Sequence, residues 1–252
     1  MVSSKHLITG SIISVTPLPI MVSFNLKLKS QVDKCIWFKY GIVLLQHVNN
    51  LLIVGVDDNI IKQFKKDFAA GHGGNLEACL GVEVTKHSNK TIELCQPFLI
   101  DKIIKTIAGD ENNIHSFNIP AAKESLRMDE EGEERKYSFN YRQAIRMMTY
   151  LQGTLRPDIA MPVHQCARFS ANPKCSHEKA VIKIVCCLKE TKEKGIILCP
   201  NTSYGIKCFV DASFESGWHP DNAHNAMNIL SRTGYILYYA SCSVHWCSKM
   251  QK

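Results

Sequence analysis

The stretch Gly41-Ile42-Val43-Leu44-Leu45-Gln46-His47-Val48-Asn49-Asn50-Leu51-Leu52-Ile53-Val54-Gly55 holds two short runs rich in Val, Ile and Leu on either side of a polar segment. Gly41 to Leu45 and Leu51 to Gly55 therefore predict a β-hairpin with a polar tip from Gln46 to Asn50. Asp57-Asp58 follows at once, and then Ile60, Ile61, Phe64 and Phe68 recur at helical spacing with lysines between them. The period changes from strand to helix at this point, so Asp57 or Asp58 is the expected N-cap.

Outward from this unit the pattern repeats. Leu80 to Val84 and Thr91 to Leu94 predict a second hairpin around Asn89, followed by a helix from Pro97 through Ile107 carrying Ile100, Ile103 and Ile104. Asp129 to Arg135 reads as a solvated acidic linker. A helix opens near Phe139 with Tyr141, Ile145, Met148 and Leu151 on its apolar face. Another starts at Pro157, where proline suits the first position, and Pro162 should kink it. Ser176 is the expected cap of a helix reaching Lys194, with Val181, Ile184, Val185 and Leu188 as its buried stripe and Gly195 as its stop. From Gly205 the pattern is strand-like: Ile206 to Phe209 leading to Asp211, then Gly234 to Tyr239, then Val244 to Trp246. Three such strands without a covering helix would expose an apolar face.

Composition excludes some classes. The chain has 252 residues, 45% hydrophobic and 21% charged, enough to bury one sizeable core or two modest ones. Thirty Lys and Arg against 23 Asp and Glu give +7, which favours anionic partners such as nucleic acid. Eleven cysteines form no CxxC pair and no zinc spacing, so reduced buried thiols in a cytoplasmic or nuclear protein are expected. The apolar run from Leu7 to Val22 is interrupted by Gly10, Pro17 and Pro19, so neither secretion nor a membrane span is expected.

Residues 35–94 resemble the reverse transcriptase of copia-type retrotransposons. There, a hairpin tip reading Tyr-Val-Asp-Asp precedes Leu-Leu-Ile-Val-Gly, a helix, and Leu-Gly-Val-Glu-Val. Here the tip reads His47-Val48-Asn49-Asn50 before Leu51-Leu52-Ile53-Val54-Gly55. Tyr141-Arg142, Tyr150-Leu151, Thr154-Leu155-Arg156-Pro157-Asp158-Ile159, Arg168-Phe169 and Pro173 through His177 also resemble the family, in order. Phe209-Val210-Asp211-Ala212-Ser213-Phe214, Ser231-Arg232-Thr233-Gly234-Tyr235, and His245-Trp246 with Ser248-Lys249-Met250-Gln251 look like the opening strands of its RNase H. The resemblance covers about residues 29–252. It implies a degenerate, truncated piece of a Pol polyprotein from a transposable element.

The implied fold class is α+β: a partial reverse-transcriptase palm and thumb of β-hairpins with helices, a helical connection, and a truncated RNase H-like antiparallel sheet. The expected segments are 1–34, a degenerate N-terminal stretch; 35–110, the palm remainder and a primer-grip-like hairpin; 111–200, the helical thumb and connection; and 205–252, the RNase H-like strands. The family's activities are RNA-directed DNA synthesis and cleavage of RNA:DNA hybrids. Both use a pair of divalent ions, Mg²⁺ or Mn²⁺, held by carboxylates.

Asn49 and Asn50 stand where the resemblance places the polymerase aspartates. Each offers a neutral carbonyl oxygen in place of a carboxylate, which removes about two negative charges from the place where two divalent ions must gather. The family's upstream metal-binding aspartate, in a segment reading Asp-Val-Lys-Thr-Ala-Phe-Leu, has no counterpart in residues 1–34. Val56-Asp57-Asp58 spells the family tripeptide, but the helix that follows favours a capping role. Leu80-Gly81-Val82-Glu83 resembles the hairpin that holds the primer end, and would be a nucleic-acid contact; an ordinary hairpin with glycine at a bulge is the alternative.

Asp211 occupies the first acidic position of the RNase H, as the start of an incomplete metal site. The next carboxylate of the family would follow Gln251, and the chain ends at Lys252. Glu215 and Asp221 lie in the polar loop and read as solvated charges. Cys242, His245 and Cys247 lie on a strand whose alternation separates neighbours. The expectation is thus a pseudoenzyme with no ion bound, contacting nucleic acid weakly if at all, with oligomeric state open. A non-enzymatic nucleic-acid-binding protein is the rival, in which basic helices hold a phosphate backbone. A third possibility is a fragment too exposed at its edges to accumulate.

Overall fold

A computed structural model describes residues 9–14, 28–39, 41–47, 50–55, 57–67, 73–75, 78–79, 81–89, 91–109, 115–122, 126–213 and 230–251. The chain is mixed α+β and divides into two compact units, residues 1–80 and 81–252.

The first unit contains β1 (Thr9–Ser14), β2 (Leu28–Lys29), β3 (Ile36–Lys39), β4 (Ile42–His47), β5 (Asn50–Gly55), α1 (Asp58–Asp67), β6 (Gly73–Asn75) and β7 (Ala78–Cys79). Its sheet has the order β2-β3-β4-β5-β1-β6. The predicted hairpin is β4 paired antiparallel with β5, and it is tighter than the sequence suggested, because Gln46 and His47 continue β4 and Asn50 already opens β5. Alternation sends Ile42, Leu44, Leu51 and Ile53 to one face, where they are buried with Trp37 and with Ile61 and Phe64 of α1. Val43 and Leu45 point the other way and stay partly exposed. Gly55 is tightly placed, since a Cβ there would lie 2.8 Å from Ile42 Cγ2. The sequence reading missed β1, which pairs antiparallel with β5 from Thr9 opposite Gly55 to Ser14 opposite Asn50.

The second unit contains β8 (Val82–Lys86), β9 (Ile92–Cys95), α2 (Pro97–Ala108), α3 (Tyr141–Thr154), a 3₁₀ turn (Pro157–Ile159), α4 (Ala160–Ala167), α5 (Cys175–Glu190), β10 (Ile196–Leu198), β11 (Ile206–Ser213), β12 (Arg232–Tyr239) and β13 (Cys242–Met250). The second predicted hairpin is β8 with β9, and Asn89 Oδ1 accepts from the backbone N–H of Thr91 (3.1 Å) in its turn. Helix α2 begins with Pro97 in its first turn and ends at Gly109, whose φ of +73° needs a residue without a side chain. Ile100, Ile103 and Ile104 of α2, Met148 and Leu151 of α3, Val163 of α4 and Val181, Ile184 and Leu188 of α5 form one buried core. Burial of such side chains stabilises by about 1.5–3 kcal/mol each.

Several expected boundaries shift. Helix α3 starts at Tyr141, because Asn140 accepts from the N–H of Gln143 (3.0 Å) and so caps it. Pro157 opens the separate 3₁₀ turn, and Pro162 falls in the first turn of α4, where its missing N–H breaks no helical bond, so the expected kink has no cause. Helix α5 starts one residue before Ser176 and stops at Glu190, with Thr191 as its C-cap. Gly195 serves another purpose than the expected stop: a Cβ there would meet Leu94 O at 1.7 Å, so glycine lets β10 close on β9.

The C-terminal sheet has the order β11-β12-β13. A helix does cover part of it, since α4 packs on β13 and Trp246 Nε1 donates to the Gln152 carbonyl (2.6 Å). The far strand β11 stays exposed along its whole length.

Candidate functional site

The positions that the resemblance marks for chemistry fall in three places. The first is the end of the β4–β5 hairpin. Asn49 lies outside the described residues, and Asn50 is the first residue of β5, in register with His47 on one side and Ser14 on the other. The strand alongside, Thr9-Gly10-Ser11-Ile12-Ile13-Ser14, contains no acid. Asp57 does not join this end of the sheet as a second candidate pair. Its Oδ1 accepts from the backbone N–H of Asn59 (2.8 Å), which makes it the N-cap of α1.

The second place is the β8–β9 hairpin. Leu80 lies outside the described residues. Gly81 adopts φ +79°, a conformation L side chains disfavour, and a Cβ there would meet nothing within 4 Å. The glycine is thus required by the turn's backbone and not by crowding. Val82 is half-buried and Glu83 exposed at the start of β8, where Glu83 pairs with Cys95 across the ladder.

The third place is Asp211 on β11. It stands opposite Gly234 of β12, which in turn faces Ser248 of β13. The side chain is exposed, and among the described residues it makes no hydrogen bond or ion pair. Glu215 and Asp221 lie outside the described residues. Among the described residues no group of three or more His, Cys, Asp or Glu could hold a metal ion. A two-ion site needs several carboxylates around each cation, and of the described residues marked in these three places only Glu83 and Asp211 are acids, one in each of two places.

Histidines and cysteines are engaged elsewhere. His245 Nε2 meets the Tyr235 hydroxyl (3.0 Å), while Cys242 is buried beyond it. Burial pushes the thiols of Cys95, Cys186 and Cys187 up, and Cys166 up to about 12, so these sulfurs are protonated core groups and poor nucleophiles.

The densest polar structure lies where no chemistry was sought. The supposedly solvated linker is fastened to the start of α5 by Glu178, which is fully buried. Its carboxylate accepts from Arg135 Nε (3.0 Å) and from the backbone N–H groups of Lys136 (2.9 Å) and Tyr137 (3.2 Å). Arg135 also donates to the Phe139 carbonyl (2.6 Å) and lies over the Phe139 ring. Ser176, expected as a cap, donates instead to Asp129 (2.6 Å), and Lys174 pairs with Glu134. The linker is solvated only in part: Glu130, Glu131 and Glu133 are exposed, while Asp129 and Arg135 have fixed partners on α5 and Glu134 pairs with Lys174 just before it.

The family-like motifs of this region resolve into similar fasteners. Arg156 is 2% exposed and forks onto Asp158 (2.7 and 2.9 Å) while donating to the Thr191 carbonyl (2.9 Å) and hydroxyl (2.6 Å). It ties the turn before α4 to the end of α5. His177 stacks on Phe169 with ring centroids 4.1 Å apart, accepts from the Lys174 N–H at Nδ1 (2.9 Å) and contacts the Arg127 carbonyl through Nε2 (2.8 Å). Those contacts assign the proton to Nε2 of a neutral ring, and burial lowers its pKa. Tyr141 donates to the Cys166 carbonyl (2.9 Å), and burial pushes its hydroxyl pKa far up.

No family model and no solved structure matches the chain. Curated relatives do. A retrovirus-related Pol polyprotein from transposon TNT 1-94 of Nicotiana tabacum is 30% identical over 244 residues, covering 89% of this chain and 17% of that protein. A retrovirus-related Pol polyprotein from transposon RE1 of Arabidopsis thaliana is 26% identical over 84% of this chain and 14% of its own length. A putative transposon Ty5-1 protein of Saccharomyces cerevisiae is 24% identical, covering 84% of this chain and 67% of itself. The chain thus spans under a fifth of the plant polyproteins. No helix among the described residues is long and apolar enough to cross a membrane. With both hairpins formed and these relatives aligned along most of its length, the chain is a homologue of copia-type retrotransposon Pol polyproteins.

Proposed function

We propose that the chain is a degenerate piece of a reverse transcriptase running into the start of an RNase H, which keeps the supporting elements of both and the complete metal site of neither. The carrying observation is the register at the end of the first sheet, where Ser14, Asn50 and His47 stand side by side. In a polymerase of this class that end must gather two divalent ions, and these three residues bring no carboxylate to it. Asp211 is the corresponding remnant in the RNase H-like strands. It is one exposed acid beside a glycine, where several acids are required.

The inherited activities are RNA-directed DNA synthesis and cleavage of the RNA strand of a hybrid. This polypeptide alone performs neither, and it binds no Mg²⁺ or Mn²⁺ pair. The test is primer extension on an RNA template and cleavage of a labelled hybrid, each with magnesium and with manganese. Background signal in both is expected. Asn49→Asp together with Asn50→Asp should leave synthesis at background, because the adjoining strand still supplies no acid. Metal-dependent incorporation by the purified chain would overturn the reading.

A second reading is a non-enzymatic nucleic-acid-binding remnant, favoured by the net charge of +7. Electrostatic holding of a phosphate backbone predicts an affinity that falls steeply with salt. Absence of any binding at low salt would reject it.

A further inference from the structure

His164 sits in the last turn of α4, the helix that packs on β13 of the C-terminal sheet. Across that junction Arg232, the first residue of β12, is 8% exposed. Its Nη1 reaches His164 Nδ1 (3.2 Å) and Ser248 Oγ of β13 (3.4 Å). Its Nε is buried and has no hydrogen-bond partner among the described residues. A histidine ring and a serine hydroxyl thus hold a buried guanidinium between helix and sheet.

A guanidinium only donates, so Nδ1 of His164 must present its lone pair, and the ring is neutral with its proton on Nε2. Protonating Nδ1 turns that acceptor into a donor facing a donor and sets two positive charges face to face across the same 3.2 Å. The charged groups that bear on the ring among the described residues are Arg232 and Arg168, the residue that caps α4 itself. Both are positive, and no described acid on α3, α5, β12 or β13 offsets them. Burial first, and then the two arginines, hold the ring's pKa below its ordinary value of 6.5.

We propose that the His164–Arg232 contact is an acid-sensitive latch, which holds the C-terminal sheet against the helices while His164 is neutral and releases it when the ring takes a proton. The released ring, in water, binds a proton near pH 6.5, and the docked ring resists it. Docking is therefore complete above pH 6.5 and weakens as pH falls toward the docked value, by about tenfold per pH unit for one proton. A second tie across the junction, from Trp246 Nε1 to the Gln152 carbonyl of α3 (2.6 Å), opens with it. The backbone ladders that join β11, β12 and β13 contain neither contact, so the sheet itself survives release.

The indole N–H of Trp246 reports the release, because it exchanges with solvent when its bond to α3 opens. Its protection, the intrinsic exchange rate over the observed one, is read by NMR of the tryptophan-labelled full chain from about pH 7.5 to about pH 5.5. Trp246→Phe assigns the signal, and far-UV circular dichroism follows the helices. Level protection above pH 6.5 is expected, then a fall of about tenfold per pH unit with helical signal unchanged. His164→Gln keeps a neutral acceptor for Arg232 and should hold the protection level throughout. His177→Gln should leave the fall in place. If His164→Gln does not fold, Arg168→Gln decides, since removing one of the two repelling charges must reduce the fall. Protection that does not respond to pH would overturn the proposal. So would a fall that persists in His164→Gln or vanishes in His177→Gln, an undiminished fall in Arg168→Gln, or helical signal lost together with the indole.

Discussion

The helical half of the second unit and the outer strand of its C-terminal sheet make opposite use of charge. In the helices, Glu178 and Arg156 are buried and each is satisfied by several partners reaching across tens of residues of sequence. On β11, Asp211 is exposed and unpaired among the described residues, although it is the position where the family resemblance expects chemistry. The motifs that identify this chain in its helical region thus serve its packing. The described positions that the resemblance marks for chemistry, Asn50 and Asp211, lie instead at a strand start and on an outer strand. Resemblance spread along a chain is therefore a statement about a scaffold before it is a statement about an activity.

The difference is sharpest at Glu178. Glu178→Ala leaves the Arg135 guanidinium and two backbone N–H groups without their acceptor, and should cost about 3–5 kcal/mol in urea unfolding, as removal of one member of a buried pair does. Arg156→Lys comes next. An ammonium cannot fork onto Asp158 while also serving both Thr191 oxygens, so a loss of about 2–3 kcal/mol is expected in the same measurement.

His177 adds a dependence on pH. Its folded pKa is depressed by burial from an ordinary value of 6.5. The unfolded chain therefore binds the proton more readily than the folded one, so stability from this group is complete above pH 6.5 and declines as pH falls toward the folded value. His177→Gln should cost about 1–2 kcal/mol at pH 7.5 and flatten the part of the stability curve below pH 6.5 that this ring contributes, as read from unfolding at a series of pH values. An unchanged slope would mean that the ring is not the neutral acceptor its contact with the Lys174 N–H implies. At the small end, Asp211→Asn in dilute solution should change stability by no more than about 0.5 kcal/mol. A larger loss would show that Asp211 has a structural partner and break the contrast with Glu178.

Much of this was readable in the residues. Two apolar runs around a polar tip located the β4–β5 hairpin, and helical periodicity located the helix after Asp57 and the apolar faces of α2 and α5. Strand β1 was not legible, since its isoleucines are adjacent and its glycine and serines carry no alternation; only the pairing with β5 makes it a strand. The burial of Glu178 left a faint signal. It lies three residues before Val181 and seven before Val185, on the apolar face of α5, where an acid must find partners. Its partners could not be read, because Arg135 is 43 residues away in sequence. Of the candidate site, the amides at 49 and 50 and the lone Asp211 were visible as residue types. The strand partners of Asn50 and Asp211, Ser14 and Gly234, are set by register and so needed the fold.

The most direct measurement of whether the chain can gather divalent ions is Mn²⁺ binding to the purified polypeptide, followed by calorimetry or by the loss of free-ion paramagnetic signal. No saturable binding in the micromolar range is expected, with or without a primed RNA template. Two equivalents of Mn²⁺ taken up tightly per chain, and lost on Asn50→Ala or Asp211→Ala, would contradict it.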